Sequence, residues 1–333
     1  MTTLAFVDNK GGVGRTTLVF HLAHMLVDLG FRILMLDLDP QSNLSAMCLD
    51  EDELERLWPA EGEHEGTILG CVRPILRGVG DITEPNVVDL RDGLGLVPGD
   101  LGISSFEDEF SDAWPRALDG DEAAYRTLSA FHRVGLSAAR AHGAALTLID
   151  VGPNLGAINR AALLAAAHVV TPLAPDLFSM QGLRNLGPTL ASWRKSWKER
   201  LERCPSEGLE LPAGRMSPLG YVVMQAGMRL SRPIKAYQKW VARIPGEYHR
   251  SLVGDDVEPS DTESDPHCLG VMRHYQSLMP LAHEARKPMF HLKPADGAIG
   301  SHIQAVERCR EDFERLAQEL IERASPPPPR SVA

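Results

Sequence analysis

Residues 3–17 read TLAFVDNKGGVGRTT. The apolar run over 3–8 predicts a buried strand, and the apolar spacing over 15–29 predicts a helix that ends at Gly30. The glycine-rich turn between them lets successive backbone N–H groups converge at the helix N-terminus, which is the context that a phosphate-binding loop requires. The loop residues that we expect around a bound phosphate are Gly11, Gly12, Val13, Gly14, Arg15, Thr16 and Thr17.

The pattern of strand, turn and helix continues beyond this loop. Further apolar runs that predict strands lie at 32–37, 94–98, 145–151, 168–173, 217–224 and roughly 288–292. Helical patterns fall between most of them, and a last helix is predicted over 301–324. Near-continuous apolar strands that alternate with helices indicate an α/β fold, doubly wound, with a mostly parallel sheet of seven or eight strands and helices on both faces.

The length suits one large α/β domain or two small ones, and the composition is ordinary for a soluble globular protein. The chain has 333 residues, of which 44% are hydrophobic and 24% charged. We expect a single domain over 1–324, with an insertion at about 50–92 and an acidic, mobile loop at about 250–268. A disordered tail is expected over 325–333, because four consecutive prolines cannot continue the helix.

Charge and cysteine usage limit the functional classes. The net charge of −11 argues against a dedicated high-affinity DNA reader, because phosphate contacts dominate such binding. No apolar run is long enough for a membrane span, and no signal peptide precedes the first strand. The five cysteines are scattered, which is typical of free thiols in a reducing compartment. We therefore expect a cytoplasmic protein without a membrane partner.

Two further acidic motifs follow apolar strands. Asp37 and Asp39 lie in the run DLDPQSN after the strand at 32–37, and Asp150 ends the strand at 145–151. A buried strand that delivers a carboxylate to the C-terminal edge of a parallel sheet suits a Mg²⁺ site beside bound phosphates. The sequence therefore predicts that these acids meet the glycine-rich loop.

The loop resembles the deviant Walker A motif of the ParA/MinD family. The general pattern GxxxxGK(S/T) fails at Asn9 and at Arg15, whereas the family loop KGGVGKT carries an additional, earlier lysine that Lys10 matches. The resemblance implies that the chain binds ATP and Mg²⁺ and forms a homodimer through the nucleotide. In that dimer Lys10 would reach the nucleotide of the partner subunit.

The acidic motifs extend the resemblance. The run DLDPQSN is similar to the family's switch I, which implies that Asp39 positions the attacking water and that Asp37 lies near the metal. The run LTLIDVGPNLG is similar to the Walker B and switch II segments, although Gly152 and Asn154 depart from them. It implies metal binding by Asp150 together with Thr16. Pro288, in Lys287-Pro288, is similar to the proline that lies beside the adenine in relatives.

Arg15 departs from the family, whose loop has a lysine at this position. An arginine keeps the positive charge but is longer, planar and forked, so it is not expected to occupy the same point as the lysine amine. We therefore predict nucleotide binding with slow or absent hydrolysis.

The family offers several functions. A ParA-like partition role implies nonspecific DNA binding, for which the candidates are Arg229, Arg232 and Lys235, or the basic and aromatic run 193–198. Such a protein would be associated with the nucleoid and with a protein partner. Arg15 leaves a second hypothesis, a non-hydrolysing nucleotide sensor that regulates a protein partner through the 50–92 region, and a third, a ligase-type synthetase.

Overall fold

The computed structural model describes residues 2–224, 234–257, 259–275 and 277–325, with 234–237 described by their backbone alone. Within these residues one sheet has the strand order β3-β4-β2-β5-β1-β6-β7-β8. All neighbouring strands are parallel except β3 and β4, so the predicted doubly wound fold is confirmed. The strands are β1 (Thr2–Phe6), β2 (Ile33–Leu38), β3 (Val88–Arg91), β4 (Leu94–Val97), β5 (Leu146–Val151), β6 (His168–Leu173), β7 (Ser217–Met224) and β8 (Cys268–Met272).

Helices cover both faces of the sheet. They are α1 (Arg15–Asp28), α2 (Asn43–Cys48), α3 (Glu51–Leu57), α4 (Ile68–Leu76), α5 (Glu107–Leu118), α6 (Glu122–Leu128), α7 (Ala130–His142), α8 (Ala157–Leu164), α9 (Leu177–Leu201), α10 (Ile234–Val241), α11 (Ile244–Tyr248), α12 (Met279–Ala285) and α13 (Ser301–Ala324). No helix in the described stretches is both long and apolar enough to cross a membrane.

Two apolar cores lie on the two faces of the sheet. Successive residues of a strand point to opposite faces, so Leu4 and Phe6 enter one core while Ala5 and Val7 enter the other. The first core, with Ala5, is covered by helices that include α7, α8 and α9, and the second by α1 and α13. Both faces of β1, β2 and β5 are therefore buried, which accounts for their continuous apolar sequences.

The register of the central strands brings the acidic residues to one edge. In β5, Asp150 is paired with Phe6 of β1 on one side and with Asp37 of β2 on the other. The loops after these strands leave the sheet side by side at its C-terminal edge. This places the glycine-rich turn next to both acidic motifs.

The structure corrects one predicted strand and adds two. The strand predicted at 288–292 is wrong, because Met289–His291 forms a short 3-10 helix whose apolar side chains pack into the second core, and their burial accounts for the apolar run. The strands β3 and β8 were not predicted. The acidic stretch 250–268 contains Asp265, which is buried and accepts hydrogen bonds from Tyr221 and His249.

Candidate functional site

The glycine-rich loop connects β1 to α1 in the predicted way. Gly12 and Gly14 have φ values of 76° and 95°, a left-handed conformation that residues with a side chain rarely adopt. Gly14 is the N-cap of α1, and its carbonyl accepts the hydrogen bond of Leu18 N at 2.9 Å. A pocket of about 400 Å³ is lined by every residue from Lys10 to Thr17 and also by Asp8 and Asp39. The loop residues expected around a phosphate thus share one concave surface.

Arg15 lies at the centre of this site and points to the acidic residues. Its side chain is 8% exposed, and its three nitrogens each contact a different carboxylate at 2.9 Å. Nη1 pairs with Asp8, Nη2 with Asp39 and Nε with Asp150. The fork of the guanidinium makes this three-way contact possible, because its donors lie on three separate nitrogens, whereas the three donors of a lysine ammonium all lie on one nitrogen.

Three buried carboxylates share this one guanidinium, so the site contains more acidic than basic groups, and burial shifts the pKa values of some of them. Burial raises the pKa of Asp8 to about 6, although the nearby charge of Arg15 opposes the shift. Burial also raises the pKa of Asp150. Burial by itself would lower the pKa of Arg15, but the charges of Asp150 and Asp8 leave it raised. Oδ2 of Asp8 is buried and has no partner among the described residues, so the site has spare capacity to bind a proton or a cation.

Thr16 and Asp150 provide the oxygens that a Mg²⁺ ion would need. The Oγ1 hydroxyl of Thr16 donates to Oδ2 of Asp150 at 2.7 Å, so the two oxygens converge on one point beside the loop. In the described residues no group of three His, Cys, Asp or Glu side chains could hold a metal ion. A phosphate-bound Mg²⁺ ion needs few protein ligands, because phosphate and water oxygens complete its shell. The pair Thr16 and Asp150 fits such an ion, provided that Arg15 releases Asp150.

Asp37, expected near the metal, is paired with Asp150 in the sheet and is hydrogen-bonded to the segment after β2. It is fully buried, and Oδ2 accepts hydrogen bonds from the backbone N and the hydroxyl of Ser45 at 2.8 and 2.7 Å. Burial, together with the charge of Asp150, raises the pKa of Asp37 to about 7. A side chain on Gly99 would lie 2.8 Å from Asp37, so this position needs glycine. The structure therefore gives Asp37 a role in holding the segment after β2.

Lys10, expected to reach a partner subunit, contacts a carboxylate of its own chain. Its Nζ forms an ion pair with Oδ2 of Asp176, while Oδ1 of Asp176 caps α9 by accepting from Ser179 N at 3.0 Å. Leu177 and Phe178 follow Asp176 and are 54% and 70% exposed. An apolar surface patch therefore lies directly beside Lys10.

An apolar pocket adjoins the loop on its other side. It has a volume of about 200 Å³ and shares Gly12, Gly14 and Thr17 with the loop. Its apolar lining is Leu18, Met224, Met272, Met279, Met289 and Phe313. Pro288, expected beside the adenine, does not line this pocket; its neighbour Met289 does, and Pro288 lines a separate pocket with His24 and Phe290.

The structure describes only part of the region that contains the DNA-binding candidates. Arg229 and Arg232 lie outside the described residues, and Lys235 is placed in α10 by its backbone alone. In the alternative run 193–198, Trp193 and Trp197 are buried in the first core.

Sequence reasoning missed Asp8 and Asp176 as members of the site. Asp8 could have been found, since it lies at the end of a predicted strand in the same way as Asp150. No local signal connects Asp176 with Lys10.

Comparison with known proteins decides the family. Residues 1–203 match the family model described as AAA domain. The chain belongs to this family. Its relatives place it among the ParA-like P-loop ATPases.

Two curated relatives illustrate the similarity. The chromosome partitioning protein ParA of Caulobacter vibrioides is 30% identical over 203 residues, which cover 61% of this ParA-like chain and 67% of the relative. Protein IncC of Escherichia coli is 31% identical over 196 residues, which cover 59% of this chain and 47% of IncC.

Solved structures extend the similarity of the fold to nearly the whole chain. Protein DIP2308 of Corynebacterium diphtheriae has a TM-score of 0.69 at 23% identity, covering 97% of this chain and 98% of its own. McdA of Cyanothece, solved as an ATP complex, has a TM-score of 0.62 at 17% identity, covering 96% of each chain. The similarity of fold thus extends past residue 203, where the family match ends.

Proposed function

We propose that this ParA-like chain is an ATP-dependent dimeric switch that segregates or positions DNA or a protein cargo in the cytoplasm. The observation that carries the proposal is that the loop 10–17 and Asp39 line one pocket, while Asp150 accepts hydrogen bonds from Arg15 and Thr16 of the same loop. Two of the similar proteins support the proposal. ParA of Caulobacter vibrioides is a chromosome partitioning protein, which supports a role in segregation. McdA of Cyanothece, which has a similar fold, is solved with ATP, which supports ATP as the ligand.

The loop residues have defined tasks in this proposal. The backbone N–H groups of 11–17 and the N-terminus of α1 bind the phosphates. Thr16 and Asp150 hold Mg²⁺, which supplies positive charge to the phosphates. Asp39 orients the attacking water, as the resemblance implies, and the apolar pocket beside Gly12 takes the base.

Arg15 is expected to limit hydrolysis. To reach a phosphate, its guanidinium must leave three carboxylates that each lie at 2.9 Å. The phosphates would compete with these acids for the same donors. This competition weakens the contact of Arg15 with the phosphates in the transition state of ATP hydrolysis. It also supports the second hypothesis, a nucleotide sensor without hydrolysis.

Dimerisation is proposed to use Lys10 and the surface beside it. Lys10 must leave Asp176 to reach a second subunit, and the exposed pair Leu177 and Phe178 would then be covered. We expect Phe178→Ser to weaken ATP-dependent dimerisation, whereas Val79→Ser at a comparably exposed position should not. Sedimentation with and without Mg·ATP measures the difference.

Measurements of nucleotide binding and of ATP hydrolysis test whether the chain is a nucleotide-dependent switch. Calorimetry with Mg·ATP and Mg·ADP should give saturable heats that Thr16→Ala reduces. A steady-state ATPase assay should show slow or absent turnover in the wild type and faster turnover in Arg15→Lys. The absence of any nucleotide binding would refute the switch, and brisk wild-type turnover would refute the role of Arg15.

DNA binding separates the two functions. A gel shift with plasmid DNA should show ATP-dependent retardation that is lost in Arg229→Glu and Arg232→Glu if the chain is a partition protein. No retardation at low salt, with nucleotide binding intact, would favour the sensor.

A further inference from the structure

A third pocket, the one that Pro288 lines, lies away from the loop, between α1, β3, the segment 286–293 and α13. Its volume is about 570 Å³, which is in the usual range for small-molecule sites. Among the residues that the structure describes, eleven line it, and these include five arginines or lysines and no aspartate or glutamate. The five are Arg91, Arg286, Lys287, Lys293 and Arg310.

Only part of this positive charge is neutralised inside the protein. Arg91 pairs with Asp28, and Lys287 pairs with Asp296. Arg286, Lys293 and Arg310 form no ion pair with any residue that the structure describes. The chain as a whole carries a net charge of −11, so the charge of this concave cluster of unpaired cations is opposite in sign to that of the whole chain. A cleft lined by one sign of charge attracts ligands of the opposite sign.

A buried histidine in the wall of the pocket lacks a hydrogen-bond partner. His24 lies on α1, is 8% exposed and lines the pocket. Its Nδ1 is buried and unpartnered among the described residues. Burial, with a smaller effect of Arg91, lowers the pKa of His24 to about 3, so the ring is neutral at physiological pH. A buried polar atom without a partner destabilises the protein unless a ligand supplies one.

Apart from His291, which contacts Asp28, the remaining wall is apolar. Leu90, Phe290 and Leu292 line the pocket between the basic residues. A simple inorganic anion would leave these side chains unused, whereas a ligand with an apolar body and an anionic group would contact both.

We propose that this pocket binds a small organic phosphate, with the phosphate held by Lys293, Arg286 and Arg310 and with a hydrogen bond to His24. The site is separate from the phosphate loop and does not require the loop to bind nucleotide. The two are nevertheless adjacent through one short segment, because Met289 lines the pocket beside the loop while Pro288 and Phe290 line this one. The backbone N of Met289 donates to His21, whose other ring nitrogen contacts the carbonyl of Thr17.

The test uses 1-naphthyl phosphate as the probe and the full chain, titrated by calorimetry. The double variant Lys293→Ser/Arg310→Ser removes two exposed charges from the pocket, and we expect the Kd to rise at least about tenfold. The matched control Arg308→Ser/Arg315→Ser removes two exposed charges from α13 outside the pocket and should leave the Kd unchanged. His24→Phe keeps a buried ring without its nitrogens and should raise the Kd about fivefold.

Other outcomes would overturn the proposal. These are the absence of saturable binding up to about 10 mM, equal effects of the two double variants, or loss of binding in Thr16→Ala with the pocket double variant unaffected. A short DNA duplex gives a further arm. If the duplex displaces the probe and its own binding is lost in Lys293→Ser/Arg310→Ser, the pocket belongs to nucleic acid and not to a small phosphate.

Discussion

At the scale of single residues, Arg15 acts as an internal counter-ion for three acids. A buried guanidinium and carboxylates lose hydration, and their mutual attraction offsets this loss only while all partners are present. The cluster is therefore sensitive to the removal of its single cation. Another positive group placed near the same carboxylates would be able to replace Arg15 as their counter-ion.

Removing the cation should destabilise the nucleotide-free protein. In Arg15→Ala, Asp8, Asp39 and Asp150 stay buried without a counter-charge, so we expect the free energy of unfolding to fall by about 3–5 kcal/mol at neutral pH. Urea denaturation measures it, with the exposed Arg308→Ala as the control. The deficit should shrink at pH 5, where Asp8 binds a proton. A deficit below about 1 kcal/mol at neutral pH would contradict the counter-ion role.

Asp8 should make stability depend on pH. Its pKa is about 6 in the folded protein against an ordinary value of 3.8. The folded state therefore holds the proton longer, and this contribution to stability is present below pH 4 and is lost as the pH rises to about 6. Relative to Asp8→Asn, the wild type should lose on the order of 1–3 kcal/mol over this window. Urea denaturation at several pH values measures the free energy of unfolding of both proteins. If this free energy changes equally with pH in the two proteins, Asp8 does not titrate between pH 4 and 6.

Much of the site could be predicted from the sequence, because strand order and the C-terminal edge of a parallel sheet determine which loops meet. The convergence of Arg15, Thr16, Asp39 and Asp150 follows from that rule. The direction of the Arg15 side chain does not, since it depends on the three-dimensional balance between phosphate and carboxylate partners.

At the scale of elements, α9 illustrates how closely two backbones pack. A Cβ atom on Gly187 would lie 1.8 Å from the carbonyl oxygen of Ser251, which belongs to the π-helical turn His249–Val253. Since backbone atoms have little room to move, this contact requires glycine. At Gly182, five residues earlier in the same helix, an added Cβ would meet only atoms of Asn9 at 3.6 Å or more.

The two glycines therefore give a matched pair. Gly187→Ala should reduce the free energy of unfolding by about 3 kcal/mol through overpacking. Gly182→Ala should be neutral or stabilising by up to about 1 kcal/mol, because alanine favours helix. Thermal and urea unfolding of both variants measure the difference, and similar stabilities would show that α9 and the π-helical turn can separate easily.

The elements that escaped prediction have physical reasons. The strands β3 and β8 are the two edges of the sheet. β3 contains Asp89 and Arg91 and is only partly buried, so its apolar signal is weak. β8 is apolar, but it is only five residues long and directly follows the acidic stretch. The segment 288–292 carries a strong apolar signal, but the burial comes from packing against α13 and not from a sheet.

At the scale of the whole molecule, the part beyond the family match completes the same fold. β7 and β8 extend the sheet from β6, and α13 covers the second core together with α1. We therefore propose that 1–324 is one domain, although only 1–203 match the family model.

One domain should unfold in one transition. Trp193 and Trp197 report on the first core, and Cys309 is buried in the second, on α13. Tryptophan fluorescence and thiol labelling at Cys309, followed by peptide mass spectrometry, should change over the same range of urea. Labelling at clearly lower urea than the fluorescence change would divide the chain into two units.

The helix α9 links distant parts of the molecule through Asp176. It has 25 residues, so at 1.5 Å per residue it is about 37 Å long. Asp176 at its start holds Lys10, while Arg200 near its end donates to the carbonyl of Trp114. Because one end of α9 holds the loop lysine and the other contacts the Trp114 indole through Arg200, we expect the fluorescence of Trp114 to respond when Lys10 leaves Asp176.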